Sequence, residues 1–163
     1  MAVIRTPRAT VQLALTASLL ALPGNGEATT RAALVPGATN PAVTQANIGQ
    51  TICVSGWTKT IRPAASYTNT LKAQQMVKFG LKGTPHDYEE DHLISLEVGG
   101  NPTDPNNLWP QSWTGPRNAH KKDRLENLIH RLVCSGKIKL AQGRRELSKN
   151  WVGAYRNRIG PMP

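Results

Sequence analysis

A carboxylate and an imidazole stand side by side in the segment EEDHLISLEVGGNPTDPNNLW, residues 89–109. The pair is Asp91 and His92, at the edge of an apolar run. The unperturbed pKa of histidine is about 6.5, so its ring can take a proton from water near neutral pH. A carboxylate beside it can hold a divalent cation. The two residue types suggest a metal site with a general base, and the simpler alternative is an ordinary turn with a polar start.

Hydrolysis of a phosphodiester needs more than this pair. A base deprotonates water, a cation stabilises the developing charge, and a further group holds the base in one orientation. Asn107 follows His92 by 15 residues, and His120 follows Asn107 by 13 residues. Each residue also has a structural explanation. His92 fits a half-buried strand, Asn107 fits a turn in DPNN, and His120 fits the polar face of a helix.

The order of these residues resembles the motif of the HNH nucleases, the family with the ββα-metal fold. The shared features, over residues 88–123, are DH, a Gly-Gly pair, NNLW and a helix that begins NAHKKD. Both spacings are similar to those of longer-spaced members such as the colicin DNases. The resemblance implies metal ligands at Asp91 and His120. It also implies a general base at His92 that Asn107 orients. More widely, most of the mature chain resembles small exported bacterial proteins described as HNH-like.

The match to this family departs at one metal position. A further metal-binding histidine of those relatives would fall on Pro116, whose side chain has no ligand atom. The C-x-x-C pairs of other HNH proteins are also missing. The third ligand is therefore open, and the candidates are water, Asp123, Glu89 and Glu90. The resemblance implies one divalent ion, with Mg, Mn, Ni and Zn all open as its identity.

The expected fold class is α+β, a small ββα-metal core with flanking short strands and C-terminal helices. Residues 48–57 mix β-branched and small side chains, which predicts a short strand. Residues 86–98 are a candidate hairpin region, with Gly99-Gly100 as the turn. Neighbours on a strand point to opposite faces, so Asp91 and His92 share a site only where the strand ends or bends.

The predicted helices lie mainly in the C-terminal third. Between Pro116 and Gly136, apolar residues recur at the spacing of one helical face: Leu125, Leu128, Ile129, Leu132 and Val133. Pro116 suits the first turn and Gly136 the stop. A second helix is predicted over 139–156, where Leu147, Trp151 and Tyr155 recur every four residues. A shorter helix is predicted over 71–80.

The first 28 residues have the pattern of a secretory signal peptide. Arg5 and Arg8 precede an apolar run of about twelve residues, and Gly26 and Ala28 suit a cleavage site after residue 28. A membrane anchor or an amphipathic helix is the alternative. A flexible lead-in over 29–47 and one domain over 48–163 are expected to follow. The mature protein is then periplasmic or secreted, without stable membrane association.

Two cysteines, Cys53 and Cys134, remain after such a cleavage. Cysteine pairs usually form a disulfide in an oxidising compartment, so the sequence predicts a bond between them. Metal ligation is the alternative, and the absence of a C-x-x-C pair gives it little support.

The charge distribution suggests a polyanionic partner. The chain has 20 Lys and Arg against 10 Asp and Glu, and twelve of the basic residues lie from Arg117 onward. Residues 83–116 contain six acids and neither Lys nor Arg. Near the start of the predicted long helix, the candidate contacts to nucleic acid are Arg117, Lys121, Lys122 and Arg124.

These features together predict an exported, metal-dependent endonuclease that cleaves DNA with little sequence specificity, with RNA as a second possible substrate. The alternative is a non-catalytic exported protein on an HNH-like scaffold that binds nucleic acid or an anionic polymer.

Affinity for DNA should fall steeply as salt rises and should vary little with DNA sequence, because neutralising phosphates releases counterions. Fluorescence anisotropy with two unrelated duplexes at low and moderate salt measures this. An affinity that stays flat would contradict a surface that follows the phosphate backbone.

Overall fold

Two strands and four helices make up the regular structure of the described chain. A computed structural model describes Met1 and residues 35–162. The strands are β1, Tyr88–His92, and β2, Leu108–Ser112. The helices are α1, Trp57–Ile61, α2, Ala65–Lys78, α3, Ala119–Cys134, and α4, Leu140–Arg158. Single 3-10 turns lie at Ile48–Gln50, Pro85–Asp87 and Leu96–Val98. This arrangement confirms the α+β class.

The two strands form an antiparallel hairpin with a long connection. Asp91 pairs with Trp109 and His92 pairs with Leu108 at the end of the ladder. Residues 93–107 join the strands, so the predicted turn at Gly99-Gly100 lies inside a long connection and does not by itself reverse the chain. The glycines serve the loop in another way. A Cβ at Gly100 would lie 1.7 Å from the Ile94 carbonyl oxygen, so only glycine fits there.

Helix α3 begins three residues later than Pro116 suggested. The Asn118 side chain accepts a hydrogen bond from the Lys121 amide at 3.0 Å, so Asn118 rather than a proline opens the helix. Leu125, Ile129 and Val133 are fully buried, as the apolar spacing predicted.

Helix α4 packs against α3 and confirms the second predicted helix within two residues at each end. Its Leu147, Trp151 and Tyr155 are all buried. The backbone of Asn150 leaves the helical conformation, and its side chain accepts a hydrogen bond from the Gly153 amide. Arg144 on the same helix donates to three backbone carbonyls, at Val98, Gly99 and Val43.

The strand predicted over 48–57 is wrong. This segment contains a 3-10 turn and further turns, and within the described residues β1 and β2 are the only strands. Local hydrogen bonds hold it, for example from the Val54 amide to the Thr51 carbonyl at 2.8 Å. Ile52 is buried in the main core. A β-branched residue favours a strand only where a partner strand is beside it, and here none is available.

The predicted signal peptide lies, apart from Met1, outside the described residues. The described part of the predicted lead-in, residues 35–47, is hydrogen-bonded to the rest of the domain. The Gly37 amide donates to the Asn106 carbonyl and the Asn40 amide to the Gly99 carbonyl, each at 2.9 Å. Val43 is buried in the main core. Across residues 35–162, no helix has the length and apolar character needed to cross a membrane.

The predicted disulfide between Cys53 and Cys134 is confirmed. It joins the turn before α1 to the last residue of α3, with the two Cα atoms 5.6 Å apart. The bridge spans a sequence separation of 81 residues. It therefore fixes the N-terminal segment to the helix that carries the core.

The native protein should contain no thiol that reacts with an alkylating reagent under denaturing conditions. The Cys53→Ser/Cys134→Ser variant should unfold at a lower temperature, because a bridge closing a loop of this length contributes about 4 to 5 kcal/mol in the chain-entropy model. Mass spectrometry after alkylation and thermal melting measure the two effects. Two reactive thiols in the purified protein would contradict the bond.

Candidate active site at the end of β1

Asp91 and His92 are the last two residues of β1, where the strand ends, and their side chains contact different elements. The Asp91 carboxylate meets helix α3, where its Oδ2 lies 2.7 Å from Lys122 Nζ. The His92 ring meets the connecting loop instead, with Nε2 3.0 Å from the Pro102 carbonyl oxygen. Each residue is only 6% exposed.

The contact with Pro102 decides which nitrogen of the neutral His92 ring carries the proton. A carbonyl oxygen only accepts hydrogen bonds, so Nε2 carries the proton and Nδ1 of the neutral ring keeps its lone pair. Burial lowers the pKa of His92, although the Pro102 hydrogen bond and the nearby Asp91 charge oppose this effect. The ring is therefore neutral near pH 7, which is the state that a general base requires.

Asn107 holds the loop that carries Pro102 and does not contact the His92 ring. Its Oδ1 accepts from the Ile94 amide at 2.9 Å, and its Nδ2 donates to the carbonyls of Ile94 and Asn101 at 3.0 and 2.9 Å. The side chain is fully buried. Asn107 therefore joins the end of the loop to its beginning and its middle. Any effect of Asn107 on His92 passes through the loop backbone.

Lys122 is placed differently from its predicted role as a phosphate contact. The residue is 0% exposed, so in this arrangement it cannot reach a phosphate. Its Nζ contacts the Asp91 and Glu126 carboxylates and lies 2.7 Å from the His92 carbonyl oxygen. Burial alone would lower the pKa of Lys122, but the two carboxylates outweigh it and raise that pKa. The ammonium therefore stays charged.

Carboxylates crowd the same end of the hairpin. Burial, and then the charges of Asp91 and Asp123, raise the pKa of Glu89 to about 7. Burial, and then the charge of Asp91, also raise the pKa of Asp123. Burial raises the pKa of Glu90 to about 8. Buried oxygens of Glu89, Glu90 and Glu97 have no hydrogen-bond partner. Mutual repulsion of this kind is what a bound cation would relieve.

The donor set fits a hard divalent cation, because Glu89, Asp91 and Asp123 offer carboxylate oxygens. These side chains are not already drawn together. Within residues 35–162, the single Cys, His, Asp and Glu group whose ligand atoms all lie within 4.8 Å is Cys53, His130 and Cys134. The sulfur atoms of that group form the disulfide. A metal at Asp91 would therefore need side-chain movement.

His120 lies in the first turn of α3 and is exposed. Its ring packs against Trp113, with centroids 4.9 Å apart. The His120 charge acts to lower the pKa of Asp123, against the larger opposing effect of burial. His120 therefore lies on the Asp123 side of the cluster, and no direct contact joins it to Asp91 in the described structure.

The remaining basic candidates are accessible at the start of α3. Arg117 and Lys121 are partly exposed, and Lys121 Nζ donates to the Pro116 carbonyl at 3.3 Å. Arg124 is exposed one turn further, with its guanidinium 6.0 Å from the centre of the Tyr155 ring. These three residues can face a phosphate backbone.

Two features of the site were missed from the sequence. The Pro102 carbonyl had no sequence signal. Lys122 did have one, because it precedes Leu125 by three residues and Ile129 by seven and so shares their buried face. Glu126 follows Lys122 by four residues, the spacing at which helical side chains meet.

Comparisons with models of known protein families, with curated proteins and with solved structures find no match to this chain. The resemblance to HNH nucleases therefore rests on the residues quoted above.

Asn107→Ala should lower the free energy of unfolding by about 2 to 4 kcal/mol, because it leaves the Ile94 amide and carbonyl buried without partners. Denaturant unfolding measures the change. The matched control is Asn106→Ala at the exposed neighbouring position, which should stay within about 0.5 kcal/mol of the parent. Equal stabilities of the two variants would show that Asn107 does not hold the loop.

Proposed function

We propose that the mature domain is an exported endonuclease that hydrolyses phosphodiester bonds of DNA with the help of a divalent cation and with little sequence specificity. RNA is the second substrate to test. The observation that carries the proposal is the hydrogen bond from His92 Nε2 to the Pro102 carbonyl, which leaves Nδ1 as the basic nitrogen of the ring.

In this proposal His92 takes the proton of the attacking water on Nδ1. The Pro102 carbonyl keeps its hydrogen bond to Nε2 throughout, so the ring holds its orientation and its positive charge is stabilised once the proton arrives. Asn107 keeps that carbonyl in place through the loop. The low pKa that burial gives His92 favours release of the proton after each turnover.

Asp91, with Glu89 and Asp123, would hold the cation, and His120 stands on the Asp123 side as a further donor. When bound, the cation would stabilise the charge that develops on the leaving oxygen. It would also allow a polyanion to approach, since the carboxylates by themselves repel phosphate. The accessible residues Arg117, Lys121 and Arg124 would contact the backbone on either side of the bond.

Export and the finer fold assignment belong to the same proposal. The Cys53–Cys134 disulfide supports a periplasmic or secreted location, because such bonds persist in oxidising compartments. The order β1, β2, α3, with Asp91 at the end of the first strand and His120 in the helix, supports a ββα-metal core.

A non-catalytic nucleic-acid-binding protein is the second candidate function. The contact between Lys122 and Asp91 favours it, because an ammonium already neutralises the principal expected metal ligand. Proline at position 116, where relatives would have a further ligand, points the same way.

His92→Gln should reduce the rate of DNA cleavage by about 10² to 10⁴-fold and leave DNA affinity nearly unchanged. Glutamine keeps an N–H donor for the Pro102 carbonyl but has no basic nitrogen, so it removes the base with little disturbance of the loop. Plasmid cleavage, with and without EDTA, and fluorescence anisotropy measure the two properties.

The matched control is His86→Gln, an exposed histidine in the turn before β1, which should cleave at the parental rate. Circular dichroism checks that both variants fold. Cleavage by His92→Gln at the parental rate would remove His92 as the base. A parent that binds DNA but never cuts with Mg²⁺, Mn²⁺, Ni²⁺ or Zn²⁺ would favour the binding protein.

A further inference from the structure

We propose that Lys122 is an internal cation of the site, which competes with a divalent ion for Asp91. A metal would then bind only when the Lys122 ammonium gives up Asp91 and stays on its other two partners. This inference rests on the proposed cation at Asp91, although its test does not depend on cleavage.

The geometry at Lys122 is that of a bound cation. The ammonium has three N–H donors, and three oxygens surround it: Asp91 Oδ2, Glu126 Oε1 and the His92 carbonyl. The residue is completely buried, so no water replaces any of these partners. A buried ammonium surrounded by oxygens is stabilised, whereas a buried Asp91 without a counter-charge would be costly. Lys122 therefore provides the buried Asp91 carboxylate with a counter-charge in the metal-free chain.

The same contacts provide a route for exchange. Glu126 and the His92 carbonyl both remain with the ammonium if Asp91 rotates towards a metal. Because the metal-free chain holds Asp91 against Lys122, a metal must bind the fraction of molecules in which Asp91 is released, and the apparent metal affinity falls by that fraction. The proximity of two cations to one carboxylate weakens binding further. The carboxylates of Glu89 and Asp123 lie outside the Lys122 hydrogen bonds and stay available to the ion.

The test compares Mn²⁺ affinity, measured by EPR, in two variants of the oxidised protein. Glu126→Gln alone keeps Lys122 on Asp91. Lys122→Met/Glu126→Gln removes the ammonium without leaving Glu126 buried and unpaired. The double variant should bind Mn²⁺ about tenfold more tightly or better than Glu126→Gln, because Asp91 is then always available. Equal affinities would overturn the proposal.

Two controls locate the effect. Arg62→Met removes a positive charge that acts on Glu89 and His92 from an exposed position, without contact to Asp91. Arg62→Met should change Mn²⁺ affinity much less than the loss of Lys122 does. An equal gain in affinity would show that any nearby positive charge has the same effect, and it would overturn the proposal. Adding Asp91→Asn to the double variant should abolish the gain in Mn²⁺ affinity. A gain that persists would show that the metal binds elsewhere, and it would also overturn the proposal.

A measurement on the unaltered chain covers the case in which the double variant does not fold. Amine ¹⁵N labelling of lysine lets NMR follow the buried Lys122 ammonium during titration with Mg²⁺. Its resonance should move as the ion binds, because one of its three partners is exchanged. Metal binding without any change at Lys122 would overturn the proposal, as would the absence of any binding.

The result separates this inference from the proposed function. If the two variants show the expected difference in Mn²⁺ affinity and the parent protein never cleaves DNA, the competition is supported and the endonuclease is rejected. Cleavage that depends on a metal, with equal affinities in the two variants, would support the endonuclease and reject the competition.

Discussion

The position of the whole site depends on one buried ammonium. Lys122 links the end of β1 to helix α3 through the Asp91 carboxylate and the His92 carbonyl, and it links both to Glu126 on its own helix. A buried ammonium is costly unless nearby oxygens compensate it, so these contacts favour one placement of α3 against the hairpin. The positions of Asp91 and His92 depend on that constraint.

The Asp91 and His92 side chains have different surroundings. On the α3 side, Asp91 stands among carboxylates whose pKa values rise because they are buried close to one another. On the loop side, His92 is held by a neutral carbonyl in a segment that Asn107 closes. The His92 ring and a group of carboxylates can therefore lie one residue apart along the chain without a carboxylate taking the hydrogen bond that orients the ring.

The surroundings of the site keep this arrangement rigid. The disulfide attaches the N-terminal segment to the end of α3, and Arg144 on α4 binds three carbonyls, one of them at Val43 in that segment and two at Val98 and Gly99 in the loop. The acidic end of the hairpin thus lies beside a helix whose first turns carry accessible basic residues. A phosphate chain would meet both charges, which is why the cation is central to the proposed function.

The sequence by itself determined the parts of this protein that depend on local periodicity. The helical faces of α3 and α4, the α+β class and the pairing of the two cysteines all follow from spacing and residue type, because a helix repeats its face every three to four residues whatever lies beside it. The tertiary structure decided the rest. Residues 48–57 form turns, since no strand is beside them to pair with, and Gly99-Gly100 serves a long loop that Asn107 closes. By residue type Lys122 is expected at the surface, and it becomes a buried counter-ion only because its helical face meets Asp91 on the hairpin. Which charges meet across elements depends on packing between distant segments, and residue type alone does not contain that information.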